Sequence, residues 1–356
     1  MRIIMLVDMD YFYVACEELR HPQIRGVPAI VGSDPKEGRG RGVVMTCNYK
    51  ARELGIHSAM PISAAYRLKP DAVFLGADFS YYDEVSAKVM AVLKRFCSKF
   101  EQVSVDEAFL DVSAKISGYG DAQQYASKMK NAVLEEVGIK CSVGIGPNKL
   151  IAKMACSQAK PDGIKVVGEQ DVKDFLHGKK IIDLYGVGGK TSEKLAAMGY
   201  RTVEQLSKAN AMQLIDRFGA FGGELIRYAN GIDDSEVTEN YGAKSISREF
   251  TFEKNTDDAN QIKDAISRLS MQVGAEAEKG QEYFKTVTVK LRYYDFTEHL
   301  HSRSIRMTGD PKTLAHTAIS LYESSANKSK KVRKLGVRVS NLVSRKGQKR
   351  ITQLLF

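Results

Sequence analysis

Two short stretches of the chain carry carboxylates next to apolar runs. Asp106 and Glu107 lie between two runs rich in β-branched and aromatic residues within 103–112, which predicts two strands with both acids at their junction. Neighbouring side chains of a continuous strand face opposite sides, so the pair can serve one site only if the backbone turns there. An isolated pair of this kind is more often a solvated turn.

A second pair of acids, Asp8 and Asp10, changes this interpretation. The pair ends the apolar run 2–7, where the pattern becomes helical. Carboxylates at the end of a buried strand are placed for chemistry, because such a strand has no other use for charge. Acids gathered from both stretches would repel one another unless a hard cation such as Mg²⁺ neutralised them. We therefore predict one acid-lined Mg²⁺ site.

A set of possible phosphate ligands also stands out. Tyr49 and Arg52 are three residues apart on one face of a predicted short helix, and Thr46 lies one turn earlier. Hydroxyl groups together with a guanidinium suit a triphosphate. Without the acids, a surface helix with ordinary polar residues would explain them equally well. Lys160, in the turn 160–163, faces either the same site or solvent.

These groups must be held by a mixed scaffold. Residues 1–167 alternate predicted strands and helices, which indicates an α/β core around the acids. The predicted strands are 2–10, 28–31, the hairpin 103–112 and 140–145, and the predicted helices are 13–19, 49–52, 79–100, 122–137 and 148–155.

Short helices and glycine turns follow. The stretch 185–195 is typical of a helix-hairpin-helix, in which Gly186 and Gly188 allow the turn and Thr191 or Ser192 caps the next helix. Backbone N–H groups at such a helix N-terminus bind phosphate without reading sequence. A plain helix–helix turn is the alternative.

The last third of the chain has a βαββαβ pattern, a split βαβ arrangement with helices on one face of a sheet. Its strands are predicted at 244–252, 285–294, 299–307 and 335–342, and its helices at 259–278 and 311–324. The uncovered face is expected to be basic, which suits a duplex backbone. The cations on or beside the strands are Lys285, Lys290, Arg292, Arg303, Arg306, Arg333 and Arg338.

Composition supports a nucleic-acid partner. The 356 residues exceed what one core usually holds, so several domains are expected. Residues 241–356 hold 22 Lys and Arg against 12 Asp and Glu and so carry the whole net charge of +10.

With no signal peptide or membrane-length apolar run, we expect a cytoplasmic protein. Five scattered cysteines without CxxC spacing argue against a disulfide framework and a zinc site.

Five motifs together resemble a known family. The stretches 8–18, 48–52, 104–111, 144–149 and 159–163 are similar, in order and spacing, to the Y-family DNA polymerases, and most similar to the DNA polymerase IV (DinB-type) branch in its archaeal form. The resemblance covers nearly the whole chain. It implies a multidomain α/β and α+β right-handed polymerase with palm 1–18 and 76–167, fingers 19–75, thumb 168–230, linker 231–243, little finger 244–342 and tail 343–356.

The resemblance also implies roles for individual residues. Asp8, Asp106 and Glu107 would bind two Mg²⁺, with the Met9 carbonyl as a backbone ligand, although many relatives have an aromatic residue at position 9. Tyr13 would exclude a ribose 2′-hydroxyl. The remaining nucleotide contacts would be Phe12, Thr46, Tyr49, Arg52 and Lys160, and Gly42 and Val43 would cover the nascent base pair and leave room for a damaged template base.

The C-terminal tail leaves apolar side chains after a basic stretch, which is typical of a docking peptide, although a strand packed on the last domain is the alternative. By resemblance, the tail is a sliding-clamp-binding peptide, with leucines where aromatics are usual. DNA-backbone contacts are expected from Gly186, Gly188 and Lys190 and from the little-finger cations. The clamp contacts would be Gln348, Ile351, Leu354, Leu355 and Phe356.

The implied function is a monomeric, lesion-tolerant DNA polymerase that adds dNTPs to a primer on a DNA template, with low fidelity and no proofreading nuclease. Two other classes of protein are alternatives. A non-catalytic DNA-binding scaffold would need neither the acids nor the cations. Another palm-type nucleotidyl transferase, such as a cyclase, would act without a primer and would have no use for a basic C-terminal domain.

Overall fold

The computed structural model describes residues 1–239, 242–327 and 329–344. The chain forms two compact units, Met1–Asn240 and Tyr241–Phe356. Within these described ranges, no helix combines the length and the apolar character needed to cross a bilayer.

The first unit is built from short strands and helices. Its strands are β1 Ile4–Met9, β2 Ala29–Gly32, β3 Val44–Cys47, β4 Val73–Leu75, β5 Lys99–Gln102, β6 Glu107–Asp111, β7 Cys141–Gly146 and β8 Ile164–Val166. Its helices are α1 Phe12–Arg20, α2 Tyr49–Glu53, α3 Ile62–Leu68, α4 Phe79–Lys94, α5 Tyr119–Val137, α6 Lys149–Ala159, α7 Val172–His177, α8 Gly189–Ala197, α9 Val203–Ser207, α10 Ala211–Phe218 and α11 Ala220–Ala229.

The main sheet has the strand order β5-β6-β1-β7-β8, and its central strand β1 is buried along its whole length. Met5 and Val7 pack in the core that includes α4 and α5, whereas Ile4 and Leu6 pack against α6 on the other face. Both faces are apolar, which explains the unbroken apolar run in the sequence. Asp8 shares the α6 side with Ile4 and Leu6, because side chains alternate along a strand.

The predicted hairpin is present, with Asp106 in the turn and Glu107 at the start of β6. Its first strand is β5 rather than 103–105, so the helix predicted over 79–100 ends earlier, at Lys94. Val103 is half exposed, and its N–H donates to the Glu107 carbonyl (2.9 Å). The backbone therefore turns at Asp106 and Glu107, as a shared site for both carboxylates requires.

A smaller sheet, in the order β3-β2-β4, packs with α2 and α3 around a separate apolar core. The turn between β3 and α2 is fixed by Asn48, whose side chain accepts the Ala51 N–H (3.1 Å) and caps α2. The sequence analysis did not predict α3, β4 or β8.

Helices α7 to α11 share a core with α6. The glycine turn at 185–189 differs in detail from the prediction: a 3₁₀ turn, Ile181–Asp183, precedes it, and Gly186 has φ +84°. Gly188 is the N-cap of α8, so Thr191 and Ser192 lie inside the helix and neither caps it. α8 begins at Gly189, three residues before the first position that a Thr191 cap would allow.

Residues 231–239, which we call the strap, belong to the predicted linker 231–243, and part of this segment packs against the first unit. Val237 is only 3% exposed and packs in the small core on the α6 face of the main sheet. The Thr238 N–H donates to the Glu101 carboxylate (3.1 Å), which also accepts two hydrogen bonds from Lys149 (2.8 Å each). One apolar anchor and these polar contacts dock the strap on the first unit.

The second unit has the predicted order βαββαβ. Its elements are β9 Ser245–Thr256, α12 Ala259–Lys279, β10 Glu282–Tyr293, β11 Glu298–Thr308, α13 Pro311–Ser325, β12 Val332–Ser340 and the short β13 Val343–Ser344. The sheet order is β11-β10-β12-β9, so each helix connection skips over one strand, as in a split βαβ arrangement. The core lies between the sheet and both helices.

Candidate active site

Three acids meet at one end of the main sheet. Asp8 lies directly opposite Glu107 in the antiparallel pair β1–β6, and the Met9 N–H donates to the Asp106 carbonyl (2.9 Å). Asp8 is buried, whereas Asp106 and Glu107 are half-buried. The Ser104 hydroxyl donates to the Asp106 carboxylate (2.6 Å). The structure thus brings the two acid-bearing stretches together.

Two lysines neutralise this acid group. Lys160 Nζ lies 2.5 Å from one Asp8 oxygen, so the turn lysine faces the site rather than solvent alone. Lys153 of α6 pairs with Glu107 and lies 3.7 Å from the other Asp8 oxygen. Burial raises the pKa of Glu107, and repulsion from Asp8 and Asp106 raises it further. Burial opposes the charge of Lys153, but its hydrogen bond to Glu107 and the charges of both acids raise its pKa.

Lys153 is a site residue that was not predicted from the sequence. Its neighbours in α6, from Leu150 to Cys156, are buried. A charged residue flanked by buried neighbours needs a partner, and this was the available signal.

The donor set at this end of the sheet fits a hard cation. Carboxylates and a backbone carbonyl are oxygen ligands of the kind Mg²⁺ prefers, and three acids in one place need positive charge nearby. Across the part of the chain that the structure describes, no three His, Cys, Asp or Glu side chains are arranged to hold one ion. Here the lysines supply the positive charge, so an ion would have to exchange with them.

A cavity of about 240 Å³ opens beside the acids. It brings together residues of β1, α1, β3, α2 and the Lys160 turn, which are far apart in sequence. The predicted site residues that line it are Asp8, Met9, Phe12, Tyr13, Thr46, Arg52, Asp106 and Lys160.

Thr46, Tyr49 and Arg52 lie close together, but not on one helix. Thr46 is in β3, and α2 begins only at Tyr49, so the turn capped by Asn48 connects them. The Arg52 guanidinium lies 4.9 Å from the Tyr49 ring centroid, and its Nε donates to the Cys47 carbonyl (3.2 Å). The guanidinium is therefore oriented by the Tyr49 ring of its own helix and by the last residue of β3.

Aromatic rings form one wall of the cavity. Phe12 is buried, and Tyr13 stacks on Tyr82 with ring centroids 4.6 Å apart and an angle of 21°. The Tyr82 hydroxyl donates to the buried Glu17 carboxylate (2.7 Å). Phe79 meets Tyr13 edge-on at 6.0 Å. The Tyr13 ring thus has a fixed orientation.

Gly42 and Val43 lie just before β3. A Cβ on Gly42 would come within 1.8 Å of the Ser33 hydroxyl, so the absence of a side chain at position 42 is required by packing within this small sheet. Val43 is 44% exposed.

The cations of the second unit do not all share one face. Lys290 and Arg292 lie on the face away from the helices, where they pair with Glu249 and Glu298, and Arg338 lies opposite Thr288 on the same face. Arg303 is a correction: its guanidinium donates to Ser320 of α13 (3.1 Å), because it pairs across the sheet with the buried Val287.

Of the other predicted DNA contacts, Lys285, Arg306, Gly186, Gly188 and Lys190 are exposed, and the Arg333 guanidinium lies 4.9 Å from the Phe296 ring centroid. The predicted clamp contacts Gln348, Ile351, Leu354, Leu355 and Phe356 lie outside the described residues.

Three family models match the chain. The impB/mucB/samB family matches residues 7–157, the HHH motif of the IMS family matches 169–200, and the impB/mucB/samB family C-terminal domain matches 243–353.

Similar proteins include DNA polymerase IV 2 of Methanosarcina mazei, which is 43% identical over 345 residues. The alignment covers 97% of this chain and 93% of the relative. DNA polymerase IV of Streptococcus pneumoniae serotype 2 is 38% identical over 337 residues, with 94% and 96% covered.

Solved structures are also similar. A Y-family DNA polymerase chimera, 28% identical, has a TM-score of 0.89, and an insertion ternary complex of Dbh DNA polymerase, also 28% identical, has one of 0.69. DinB from Sulfolobus solfataricus is 27% identical with a TM-score of 0.64. Each match covers 96% of this chain and 99% of the other.

Proposed function

This chain belongs to the Y family of DNA polymerases, in the DNA polymerase IV branch, and from that premise we propose which of its residues carry out nucleotide addition. It is a DNA-directed DNA polymerase of the lesion-tolerant type. The assignment of the site rests on one observation: Asp8, Asp106 and Glu107 lie together beside a cavity lined by hydroxyl groups and cations.

Asp8, Asp106 and Glu107, with the Met9 carbonyl, would hold two Mg²⁺ ions. When bound, these ions supply activation of the primer 3′-hydroxyl and charge neutralisation on the triphosphate. The acids contribute position and charge rather than proton transfer. Lys153 and Lys160, which pair with the acids, would move aside as the ions bind, and this leaves Lys160 available for the nucleotide.

Thr46, Tyr49, Arg52 and Lys160 would bind the triphosphate of an incoming dNTP. Thr46, Arg52 and Lys160 line the cavity, and their hydroxyl and two cations match the acceptors and the charge of a triphosphate. Tyr49 does not line the cavity, and its hydroxyl donates to Asp10, so it would have to turn toward the nucleotide. Their positive charge also stabilises the pyrophosphate that leaves as the primer oxygen bonds to the α-phosphorus. Arg52 is preset for this role by its bond to the Cys47 carbonyl.

Tyr13 would select deoxyribose over ribose. Its ring is stacked on Tyr82 and bordered by Phe79, so it cannot easily move away from an added 2′-hydroxyl. Phe12, buried beside it, would support the nucleotide from below. Gly42 and Val43 would cover the nascent base pair, where their small size leaves room for a damaged template base.

DNA is expected along two surfaces, one on each unit. The glycine turn before α8, with Gly186, Gly188 and Lys190, would bind a phosphate through backbone N–H groups and one lysine. In the second unit, Lys290, Arg292 and Arg338 on the open sheet face would contact the duplex backbone, joined by Lys285, Arg306 and Arg333 in or beside the register shifts. Arg303 lies on the helix side of the edge strand β11, so it would contact DNA only at that edge of the sheet.

The tail 343–356 is proposed to bind a sliding clamp through Gln348, Ile351, Leu354, Leu355 and Phe356. We also propose that the enzyme acts as a monomer in the cytoplasm. Deleting 345–356 should reduce the length of product made with a clamp present and leave extension without a clamp unchanged. Equal loss in both reactions would contradict the clamp role.

The active-site assignment is tested by Asp106→Ala combined with Glu107→Ala. Primer extension with dNTPs and Mg²⁺ should fall at least about a thousandfold, because both proposed metal ligands on β6 and its turn are lost. Glu135→Ala, an exposed acid on α5, is the control and should keep full activity. Extension that persists in the double variant would show that the acids have been assigned wrongly.

A further inference from the structure

Asp10 is a buried carboxylate to which the proposed chemistry assigns no role. It directly follows β1 and is 2% exposed. One carboxylate oxygen accepts hydrogen bonds from the Tyr49 hydroxyl (3.2 Å) and the Ser142 hydroxyl (2.9 Å). The other accepts the Asp162 backbone N–H (2.8 Å). A carboxylate buried this deeply is stable only because these donors surround it.

The donors to Asp10 come from three separate parts of the first unit. Tyr49 is the first residue of α2, beside the small sheet. Ser142 lies on β7, directly opposite Asp8 in the main sheet. Asp162 lies in the turn that carries Lys160. Two of the three parts therefore supply proposed triphosphate contacts, and Asp10 joins them through one rigid group.

The Lys160 turn is also held from its outer side. The Asp162 carboxylate pairs with Lys130 of α5 (2.8 Å) and with Lys140 (2.7 Å), and its backbone has φ +51°. Burial opposes the charge of Asp162, but hydrogen bonds from both lysines lower its pKa. With Asp10 on the inner side, the turn is fixed from both directions, and so is the starting point of the Lys160 side chain.

We propose that Asp10 is a positioning residue for the incoming nucleotide: by accepting the Tyr49 O–H and the Asp162 N–H, it fixes α2, which carries Arg52, relative to the Lys160 turn. An ionised carboxylate only accepts hydrogen bonds, so it orients each donor in one direction. Without it, α2 and the turn would have to be ordered when the nucleotide binds, which weakens binding. This inference rests on the triphosphate site proposed above.

The direct test is Asp10→Asn, which keeps the size of the side chain. An amide has one acceptor oxygen and one donor group, so it cannot satisfy the hydroxyls and the Asp162 N–H together. We expect the KM for dNTP to rise about tenfold and kcat to fall less than about threefold. Calorimetric affinity for dNTP, on a primer–template that ends in a dideoxynucleotide, should fall by a similar factor.

A double variant and a matched control separate positioning from general support of the fold. If Asp10 acts partly through Tyr49, the combination with Tyr49→Phe should raise KM less than the product of the two single effects. Glu101→Gln removes another buried carboxylate, which holds Lys149 and the strap, and should lower stability without changing the KM for dNTP.

Several outcomes would overturn the proposal. These are an unchanged KM in folded Asp10→Asn, a fall in kcat alone, or KM effects that multiply fully with Tyr49→Phe. If Asp10→Asn does not fold, Ser142→Ala removes one donor and should raise KM about threefold, and an unchanged KM would then overturn it. A wild-type chain that adds no dNTP would refute the proposed function, whereas normal wild-type activity without an Asp10 effect on KM would refute this inference alone.

Discussion

Lys153 offers the sharpest test of how the acid group is stabilised. Its side chain is 23% exposed, and the side chains of its partners Glu107 and Asp8 are 13% and 12% exposed. Removing one partner of a fully buried ion pair costs about 3–5 kcal/mol. Because water still reaches Lys153, we discount this figure and expect Lys153→Met to lose about 2 kcal/mol of unfolding free energy in EDTA.

Mg²⁺ should change the size of this loss. In the wild type an ion has to displace Lys153, whereas in Lys153→Met only Lys160 remains beside the acids, which therefore bind the ion more tightly. A ligand present at about a hundred times its Kd stabilises by about 2.7 kcal/mol. At saturating Mg²⁺ the difference between the variant and the wild type should therefore shrink below about 1 kcal/mol.

The assay is urea unfolding followed by hydrogen exchange of the β1 amides, which report on the first unit, in EDTA and in Mg²⁺. Lys128→Met, an exposed lysine on α5, is the control and should change stability by less than about 0.5 kcal/mol in both conditions. An equal loss for Lys153→Met with and without Mg²⁺ would refute the reasoning, because the ion and the lysine would then not share the same acids.

Three further predictions concern other parts of the chain. Tyr13→Ala should increase ribonucleotide incorporation at least about tenfold, and sugar selectivity that stays unchanged in single-nucleotide insertion assays would rule out its role. Burial opposes ionisation of Glu249, but hydrogen bonds from Lys334 and Lys290 lower its pKa. The stability it gives is therefore present above about pH 4.3 and is lost as pH falls through the folded-state pKa. Hydrogen exchange of β12 should be less acid-sensitive in Glu249→Gln, and identical pH profiles would contradict this. Val237→Asp should destabilise the first unit by about 3 kcal/mol in urea unfolding, and a loss under about 0.5 kcal/mol would show that the strap is not docked.

Much of the fold was predictable because its signals are local. The apolar run of β1 is buried on both faces, and the periodicities of the βαββαβ unit switch clearly between helix and strand. The placement of Asp8 beside Asp106 and Glu107 followed from acids at the ends of strands. The contact of Lys153 with Glu107 and the three bonds to Asp10 depend on tertiary packing, for which a single sequence has no periodic signal.

The error at Arg303 has a different origin. Arg303 lies opposite the buried Val287, so strand alternation places it on the side of the sheet that the helices cover. Arg306 lies between Ser304 and Thr308, where the pairing of β10 with β11 shifts, so its spacing from Arg303 does not assign it a face. Lys285 and Arg333 lie beside register shifts in β10 and β12, where alternation no longer assigns a face. Short elements such as α3 and β4 were missed because few residues carry their pattern.

The open face of the second unit has a consequence for how DNA is held. Lys290, Arg292 and Lys334 share that part of the sheet with Glu249 and Glu298, so three cations and two carboxylates leave a formal charge of +1. Counterion release scales with the phosphates that are actually neutralised. Binding through this face should therefore depend on salt much less steeply than its number of cations suggests, and the duplex can leave it without a large electrostatic barrier. A surface of this kind favours short-lived complexes with DNA.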